Sequence, residues 1–591
     1  MSILIQIRDL QNDWIEFRDP VEVYLANSIE EVKDTIRKAE KKSLVDHLWV
    51  VGFLSYEASS AFDETYKTFS PSSNFPLAWF AVFNEYNSIP NPYLVDLAIG
   101  SSLNWVSEIN KESYVKNIKY IQNLIREGHT YQVNYSYRLK SSFDNFFNCS
   151  RALFSQMIHN QPFGYGAYIE TSDFSILSAS NELFFKKYGN EVICRPMKGT
   201  ISRGYDLKSD ENNAKWLKES EKNKAENLMI TDMVRNDLGK FSNSGSVKVD
   251  SLFEIEKYPT LWQMISSVKA NSSDSSLSIL SSLFPAASIT GAPKHRTMEI
   301  ISNLEQSARE IYTGSIGFIR PDGSSQFNVA IRTAWFNNIT KEAKYAVGGG
   351  IVIDSSPEEE WQECITKSKI IKKNIDNFEL LETIKWELSE DFSFLQDHLG
   401  RLKRTATFFG INFNYEKIIE KLNESIEIYN AKKSNRHPLI VRLLLNKYGS
   451  PRVEISKLVE LPDPYNVLVS NEPLDVREDV FVLNKTTNRK VYDYALTSAK
   501  RKVTDIHDVI ILNNNLELTE STIANLFIEF KGRLLTPPIE SGLLPGIYRQ
   551  YLLDIGRAEE EILDLDILNS SDKIFLANSV RGIWQINIID Y

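Results

Sequence analysis

Cysteine is scarce in this chain of 591 residues, which holds three of them, Cys149, Cys194 and Cys364. Three thiols cannot build a disulfide framework, and none stands in a CxxC pair of the kind that binds zinc or cycles redox. There is also no apolar run of the ~18 to 20 residues that a membrane-spanning helix needs. The opening MSILIQIRDLQNDW lacks the basic start, continuous apolar stretch and small-residue cleavage site of a secretory signal. Secretion and membrane insertion are therefore disfavoured, and a reducing cytoplasm is the expected compartment. Basic charge is in deficit too, with 67 Lys and Arg against 78 Asp and Glu, a net charge of −11 and a pI near 5.4. That balance argues against non-specific nucleic-acid binding, which draws its affinity from Lys and Arg neutralising phosphates. An anionic substrate would need cations placed locally.

What is present is the composition of an ordinary globular protein, 42% hydrophobic and 25% charged. The length exceeds what one hydrophobic core supports, so two or more domains are expected. The first part alternates strand-like runs such as ICRPMKGTI with amphipathic helices such as KNKAENLMITDMVRNDL, which predicts one large α/β unit. The lysine-rich KSKIIKKNIDN, Lys367 to Asn377, is charged on most faces and precedes the apolar FELLETIKW. It marks the boundary, with domains expected over 1–373 and 378–591 and a linker at 374–377. In the second domain FELLETIKW reads as a strand, HLGRLKRTATFFG as a helix capped by Gly410, and LIVRLLLN and VFVLNK as strand-like.

Several separated segments combine charge with glycine: SNELFF, RPMKGT, KAENLMITDMVRNDLGK, FPAASITGAPKHRTMEII, NVAIRTAW and GGGIVIDSSPEEEWQECITKSK. Each alone has a bland explanation, since an EEExxE run is usually a solvated helix face and a GGG stretch a turn. Together, in this order, they resemble the chorismate-utilising enzymes, a family that includes anthranilate synthase large subunits, isochorismate synthases and aminodeoxychorismate synthase component I. The resemblance covers nearly all of the first 370 residues, including GFLSYEASSAFD and EGHTYQVNYSYRL. It implies a large mixed sheet-and-helix sandwich domain.

Glu360 and Glu363, three apart, project from one helix face and could coordinate a hard cation through oxygen, with Glu226 completing the cage from a second helix. The family pattern matches these three to magnesium ligands. It matches Thr290, Tyr312, Arg332 and the triplet Gly348, Gly349 and Gly350 to positions that bind chorismate, with the glycine N–H groups and Arg332 suited to a carboxylate. The third residue of RPMKGT sorts the family: anthranilate synthases resemble this stretch but have alanine, whereas aminodeoxychorismate synthases have lysine, here Lys198. The implied role is attack on C2 of chorismate as the C4 hydroxyl departs, followed by ammonia at C4. Burial would favour the neutral amine that this requires. Glu182 matches the family's general acid and base, and Gln263 stands where anthranilate synthases tend to carry histidine.

The second domain carries DHLGRLKRTA, LNKTTNRKVYDYA, ELTESTIANLF, LLPGIYRQYLL and FLANSVRGIWQI. A pyridoxal 5'-phosphate site needs a lysine, an acidic partner for the ring nitrogen and donors for the phosphate. The motifs resemble the fold-type IV pyridoxal-phosphate enzymes, which include branched-chain and D-amino acid aminotransferases and aminodeoxychorismate lyase. Lys485 matches the Schiff-base lysine and Glu520 the partner of the ring nitrogen. Arg401, the backbone of Ile547 and Tyr548 at a helix start, and Ser579 match the phosphate site, with Gly546 leaving room for it. The domain starts almost at LLETIKW, so a strand of its small subdomain is missing or comes from the first half.

The two resemblances together imply a fusion that makes p-aminobenzoate, on the folate route, by amination of chorismate and then loss of pyruvate. None of the three cysteines lies in a nucleophile context, so ammonia is expected from a separate glutamine amidotransferase subunit or from solution. A homodimer through the C-terminal domain follows by analogy. The alternatives are an anthranilate or isochorismate synthase fused to an aminotransferase, and an inactive partner-binding scaffold.

Overall fold

The computed structural model describes residues 3–72, 74–90, 92, 103–144, 146–161, 164–258, 261–372, 378–432, 437–470 and 472–589. The expected linker 374–377 lies outside them. The chain divides into two compact units, Met1–Ser202 with Ala214–Ile375, and Arg203–Asn213 with Asp376–Tyr591.

The first unit is built on two ten-stranded antiparallel sheets. One runs through Gln132–Ser142, Glu342–Ile351, Thr333–Asn337, Phe174–Ser178, Ala167–Glu170 and Leu4–Arg8, and the other through Met197–Ser202, Leu261–Asn271, Glu191–Arg195, Leu183–Tyr188, Ser325–Val329 and Trp49–Leu54. The strand WVVGFL shows why the sheets stack. Trp49, Val51 and Phe53 join a core with Ile5, Phe17 and Ile176 of the other sheet, while Val50 and Leu54 join a core with Val32, Ile36 and Leu280 of the helices outside. A strand buried on both faces needs apolar residues at every position, which this one has. Each such Val, Leu or Phe contributes roughly 1.5–3 kcal/mol on burial. The other sheet is covered by the helices Lys111–Arg126, Phe146–Asn160 and Pro357–Lys372. The antiparallel pairing makes this unit α+β, a helix-flanked sandwich.

The second unit has a four-stranded antiparallel sheet that includes Leu380–Glu387, Leu439–Leu445 and Pro451–Lys457, packed on the helices Leu395–Phe409 and Tyr415–Lys432. The helix ends at Gly410, whose φ of 70° is the left-handed cap expected of glycine. A nine-stranded mixed sheet holds Asn525–Phe530, Leu518–Ser521, Asp508–Leu512 and Asn466–Val469, the last pairing in parallel with Asp508–Leu512. Within this unit Arg203 grips Asp210 through Nε and Nη2 at 2.6 and 2.7 Å and donates to the Phe408 carbonyl at 2.6 Å. Tyr205 donates its hydroxyl to Glu478, and its carbonyl accepts from Asn484 Nδ2 at 2.8 Å.

One local expectation changes. VFVLNK is not a strand: Val480–Leu483 is a single helical turn, because Asp479 accepts from the N–H groups of Phe481 and Val482. Lys485 follows that turn, and its carbonyl accepts from Leu381 N at 3.1 Å, fixing it against the first strand of the small sheet.

Candidate active sites

A cavity of about 480 Å³ opens in the first unit. Its key wall is RPMKGT. Pro196 breaks the run into the strands Glu191–Arg195 and Met197–Ser202, and the register of the second against Leu261–Asn271 slips between Met197 and Thr200. That bulge re-aims Lys198, and Gly199 beside it has a φ of 97°, open to glycine. Gln263 Nε2 donates to the Gly199 carbonyl at 2.8 Å and Asn227 Nδ2 to the Lys198 carbonyl at 3.1 Å, so the bulge is pinned from a strand and a helix.

Lys198 reaches the cavity with Nζ 3.4 Å from Glu226. Opposite it, a Cβ on Gly350 would collide with Nζ and crowd the Gln132 amide. The glycine triplet is therefore not a turn. It lies within the strand Glu342–Ile351, whose pairing with Thr333–Asn337 stops at Tyr345, leaving one backbone edge open on residues that line the cavity. The other edge pairs with Gln132–Ser142, whose Gln132 is fully buried with neither amide atom hydrogen-bonded.

Glu182 is buried in the same cavity and accepts from Ser288 Oγ at 2.5 Å. Burial pushes its carboxyl up to about 7, against the opposing pull of Ser288 and Lys198. A carboxyl poised there can both give and take a proton near neutrality.

The helix Pro357–Lys372 presents Glu360, Glu363 and Lys367 to the cavity. Glu360 accepts from Ser355 at 2.8 Å, and burial, then Glu363, pushes it up. Desolvation by the surrounding walls presses on Glu363 even though its side chain stays exposed to the cavity, but Lys367 at 2.6 Å more than offsets it and holds that carboxylate below its usual range. Lys367 donates onward to the Gly348 carbonyl at 2.8 Å. Glu226, Glu360 and Glu363 thus share one cavity, but among the described residues no three His, Cys, Asp or Glu side chains converge as a metal cage. The reason is visible in the partners: Glu226 turns to Lys198 and Glu363 to Lys367, the nearest cations.

Tyr312 and Arg332 line the cavity. Arg332 has a left-handed φ of 49°, donates to Gln161 Oε1 and is pushed down by burial. Thr290 is placed differently from expectation. Its hydroxyl turns back to the carbonyls of Ala286 and Ala287 at 3.1 and 3.3 Å, closing a short helical turn, and it is not among the residues that line the cavity. Ser288, two residues earlier, faces Glu182 instead. Lys367 and Ser288 escaped the sequence reading. Lys367 could have been found, since it continues the Glu360 and Glu363 stripe at helical spacing.

In the second unit Lys485 is half-buried, and desolvation, then Arg401, pushes its amine down to about 8. Glu520 accepts from Tyr492 Oη at 2.7 Å, Leu544 N at 2.9 Å and Asn525 Nδ2 at 3.0 Å. Burial nonetheless pushes it up to about 7. Arg401 is engaged by Glu382, which takes Nε and Nη2 at 2.9 and 2.7 Å, and it donates Nη1 to the Pro545 carbonyl at 3.0 Å. An anion held there must share Arg401 with Glu382. His398 gives Glu382 a further contact at 2.7 Å through Nδ1, and its buried Nε2 has no hydrogen-bond partner.

Ile547 and Tyr548 open the helix Ile547–Asp554 behind Gly546. Gly546 packs closely against the second unit's network: a Cβ there would collide with Asn525 Oδ1, the amide that also holds Glu520. Tyr548 Oη lies 3.6 Å from where a Cβ on Gly582 would sit, next to the turn after Lys573–Asn578 that carries half-buried Ser579. Among the described residues no helix is long and apolar enough to cross a membrane.

Comparison with known proteins covers both units. Residues 100–373 match the chorismate binding enzyme family and residues 379–589 the amino-transferase class IV family. The chain is 32% identical over 344 residues to anthranilate synthase component 1 of Saccharolobus solfataricus, covering 55% of this chain and 80% of that protein. It is 36% identical over 274 residues to aminodeoxychorismate synthase component 1 of Bacillus subtilis, covering 46% of this chain and 57% of that one. Of the curated relatives matched alongside these, the chain spans as little as 32% of the length. Among solved structures, anthranilate synthase component I from Streptococcus pneumoniae superposes with a TM-score of 0.51 at 23% identity, over 63% of this chain and 92% of that one. That likeness speaks to the fold alone.

Proposed function

The chain belongs to the chorismate-binding enzyme family and carries an amino-transferase class IV domain behind it, and from that premise we propose that it makes 4-aminobenzoate from chorismate and ammonia in two steps. The observation that carries the reading is Lys198, an amine aimed by a bulge into the cavity, with Gly350 stripped of the Cβ that would block it.

In the first step the Lys198 amine attacks C2 of chorismate while Glu182, protonated near neutral pH, gives its proton to the departing C4 hydroxyl. Ammonia then bonds to C4, the C2–N bond to Lys198 breaks, and Glu182 recovers a proton from the incoming nitrogen. Chorismate and ammonia become 4-amino-4-deoxychorismate and water. The buried Gln132 amide lies beside Lys198 Nζ on the same side of Gly350. Paired as an ammonium, Lys198 must pass a proton to Glu226 before its amine has the lone pair that attacks. Oxygen donors suit a hard cation, and Glu226, Glu360 and Glu363 would hold Mg²⁺ only after Glu226 turns from Lys198 and Glu363 from Lys367, where it would supply positive charge for a substrate carboxylate. Arg332 and the open backbone edge at Gly348 to Gly350 would take the other carboxylate. Ammonia would come from a separate glutamine amidotransferase, as expected of a component I chain.

The second unit fits pyridoxal 5'-phosphate on its donor chemistry. It offers a half-buried amine at about 8, a buried carboxyl at about 7 suited to a ring N–H⁺, and a helix N-terminus for a phosphate. When bound, the cofactor supplies an electron sink. Glu520, held by Tyr492, Asn525 and Leu544, would keep the ring nitrogen protonated. Lys485 removes the C4 proton of the aminated ring, and loss of pyruvate leaves an aromatic product.

Incubation with chorismate, ammonium, Mg²⁺ and pyridoxal phosphate, followed by mass analysis, tests the reading. Equimolar 4-aminobenzoate and pyruvate are expected. Anthranilate or isochorismate without 4-aminobenzoate would contradict it and favour the sister reactions.

A further inference from the structure

Three walls of the Lys198 cavity come from distant parts of the first unit: Asn134 on the strand Gln132–Ser142, Ile289 on a short helical turn, and Tyr312 on the segment 309–313. One buried cation ties them together. Arg309 Nη1 donates to the Ile289 carbonyl at 3.0 Å and Nη2 to the Asn134 carbonyl at 2.6 Å. Glu305 neutralises the same guanidinium, accepting at 3.1 and 2.7 Å. The guanidinium carbon sits 4.6 Å over the Tyr56 ring and 6.0 Å from that of Tyr312.

The segment that carries Arg309 and Tyr312 is held from outside. Glu57, 2% exposed, accepts the backbone N–H of Arg309 at 2.7 Å and of Glu310 at 2.9 Å, one on each carboxylate oxygen. The Tyr56 N–H donates to the Glu310 carbonyl at 2.8 Å, closing the clamp. Glu310 and Thr313 are both left-handed, with φ of 55° and 61°, a conformation that non-glycine residues keep only when their surroundings impose it. Glu310 is anchored in turn by Trp335 Nε1 at 2.7 Å and Lys344 Nζ at 3.1 Å. Neither Glu57 nor Arg309 lines the cavity.

We propose that Glu57 and Arg309 are positioning residues that hold the Asn134, Ile289 and Tyr312 walls in register and thereby set the affinity of the Lys198 cavity for its dianionic substrate. This deepens the chorismate reading above and rests on it. Glu57 acts on the backbone of 309–310, and Arg309 carries that constraint to the two other walls. Removing either leaves Lys198 and Glu182 in place but lets the binding surface spread.

The test uses the full chain and the variants Glu57→Gln and Arg309→Lys, with steady-state kinetics on chorismate and ammonium, equilibrium binding of chorismate without ammonium, and thermal melting. A carboxamide keeps one acceptor of the two, so Glu57→Gln is expected to raise KM and the binding constant about ten-fold, the scale of one lost buried hydrogen bond, with kcat within about three-fold. Arg309→Lys is expected to do the same, since an ammonium cannot span two carbonyls as the guanidinium does. Unchanged KM and binding in folded Glu57→Gln would overturn the proposal, as would a fall in kcat at constant KM. Should Glu57→Gln fail to fold, Glu57→Asp keeps the charge and withdraws it by one methylene, and the same split is read. A wild-type chain that does not bind chorismate sinks the function itself. Wild-type binding with indifferent variants sinks the Glu57 role alone.

Discussion

Lys198 and Lys485 are both proposed for covalent chemistry on a substrate or cofactor and both are half-buried, yet the charges around them are arranged differently. Lys198 stands on a strand bulge in an open cavity, with its ammonium 3.4 Å from Glu226 and further carboxylates on the same walls. Lys485 is also half-buried, but it is pushed down to about 8 by desolvation and Arg401, and the groups beside it are already engaged: Arg401 by Glu382, and Glu520 by Tyr492, Asn525 and Leu544. On the proposed function, the difference follows from the partner each would meet. A dianion that enters and leaves needs an open site with charges free to rearrange. A cofactor that stays can be met by a site that is settled in advance, because preorganised groups lose little on binding.

The sharpest way to break this contrast is to remove each lysine in turn. Lys198→Ala should lower amination by at least about 10³-fold, the cost of losing a nucleophile and its binding contacts, while the 420 nm region, about where a bound lysine–pyridoxal adduct absorbs, stays unchanged. Persistent 4-aminobenzoate output from that variant would remove the nucleophile assignment.

Next in size is Glu182→Gln, expected to cost about 10²- to 10³-fold in kcat with little change in KM, measured from pH 5 to 9. It should also stabilise the fold. The Glu182 carboxyl is raised to about 7, so between about 4.5 and 7 the unfolded chain releases this proton before the folded one does. Stability therefore falls as pH rises through that window, and the glutamine variant escapes the loss. Its melting temperature should exceed wild type above pH 7 by a few degrees; an equal or lower value would refute the burial argument.

Glu382 in the second unit should behave with the opposite sign. Arg401 and His398 overcome burial and hold it down at about 2, so its contribution is full above about 4.5 and is lost as pH falls toward 2. Acid melting of Glu382→Gln should lack that transition, and a profile unchanged from wild type would show that Arg401 is not paired in solution.

The smallest effects separate two glycines. Gly350→Ala places a methyl against Lys198 Nζ and Gly349→Ala places one 2.6 Å from Glu360 Oε2, the far end of a side chain that can yield. We expect about ten- to hundred-fold loss of kcat/KM for the first and less than about five-fold for the second. Equal effects would mean that the lysine is free to move aside.

How much of this was legible beforehand depends on the range of the interaction. RPMKGT, the Glu360 and Glu363 stripe, LTES and LLPGIYR are local patterns, and the structure puts their residues on the cavity or in the buried charge network. What stayed hidden is set by distant partners. VFVLNK looks like a strand by its apolar run, but Asp479 caps it into a helical turn. Thr290 and Ser288 are equally plausible in AASIT, and only the fold decides which hydroxyl meets Glu182. Lys367 sat in a stretch taken as a boundary because its charges seemed to face water, yet Glu363 and the Gly348 carbonyl hold it in the cavity. Glu57 and Arg309 act through backbone carbonyls and N–H groups, which no side-chain motif records.

The central claim is that the two lysines act in sequence on one substrate, and Lys485→Ala tests it most directly. Supplied with chorismate, ammonium, Mg²⁺ and pyridoxal phosphate, this variant should consume chorismate and accumulate 4-amino-4-deoxychorismate by mass, with pyruvate release reduced to background. Pyruvate and 4-aminobenzoate appearing at the wild-type rate would contradict the account.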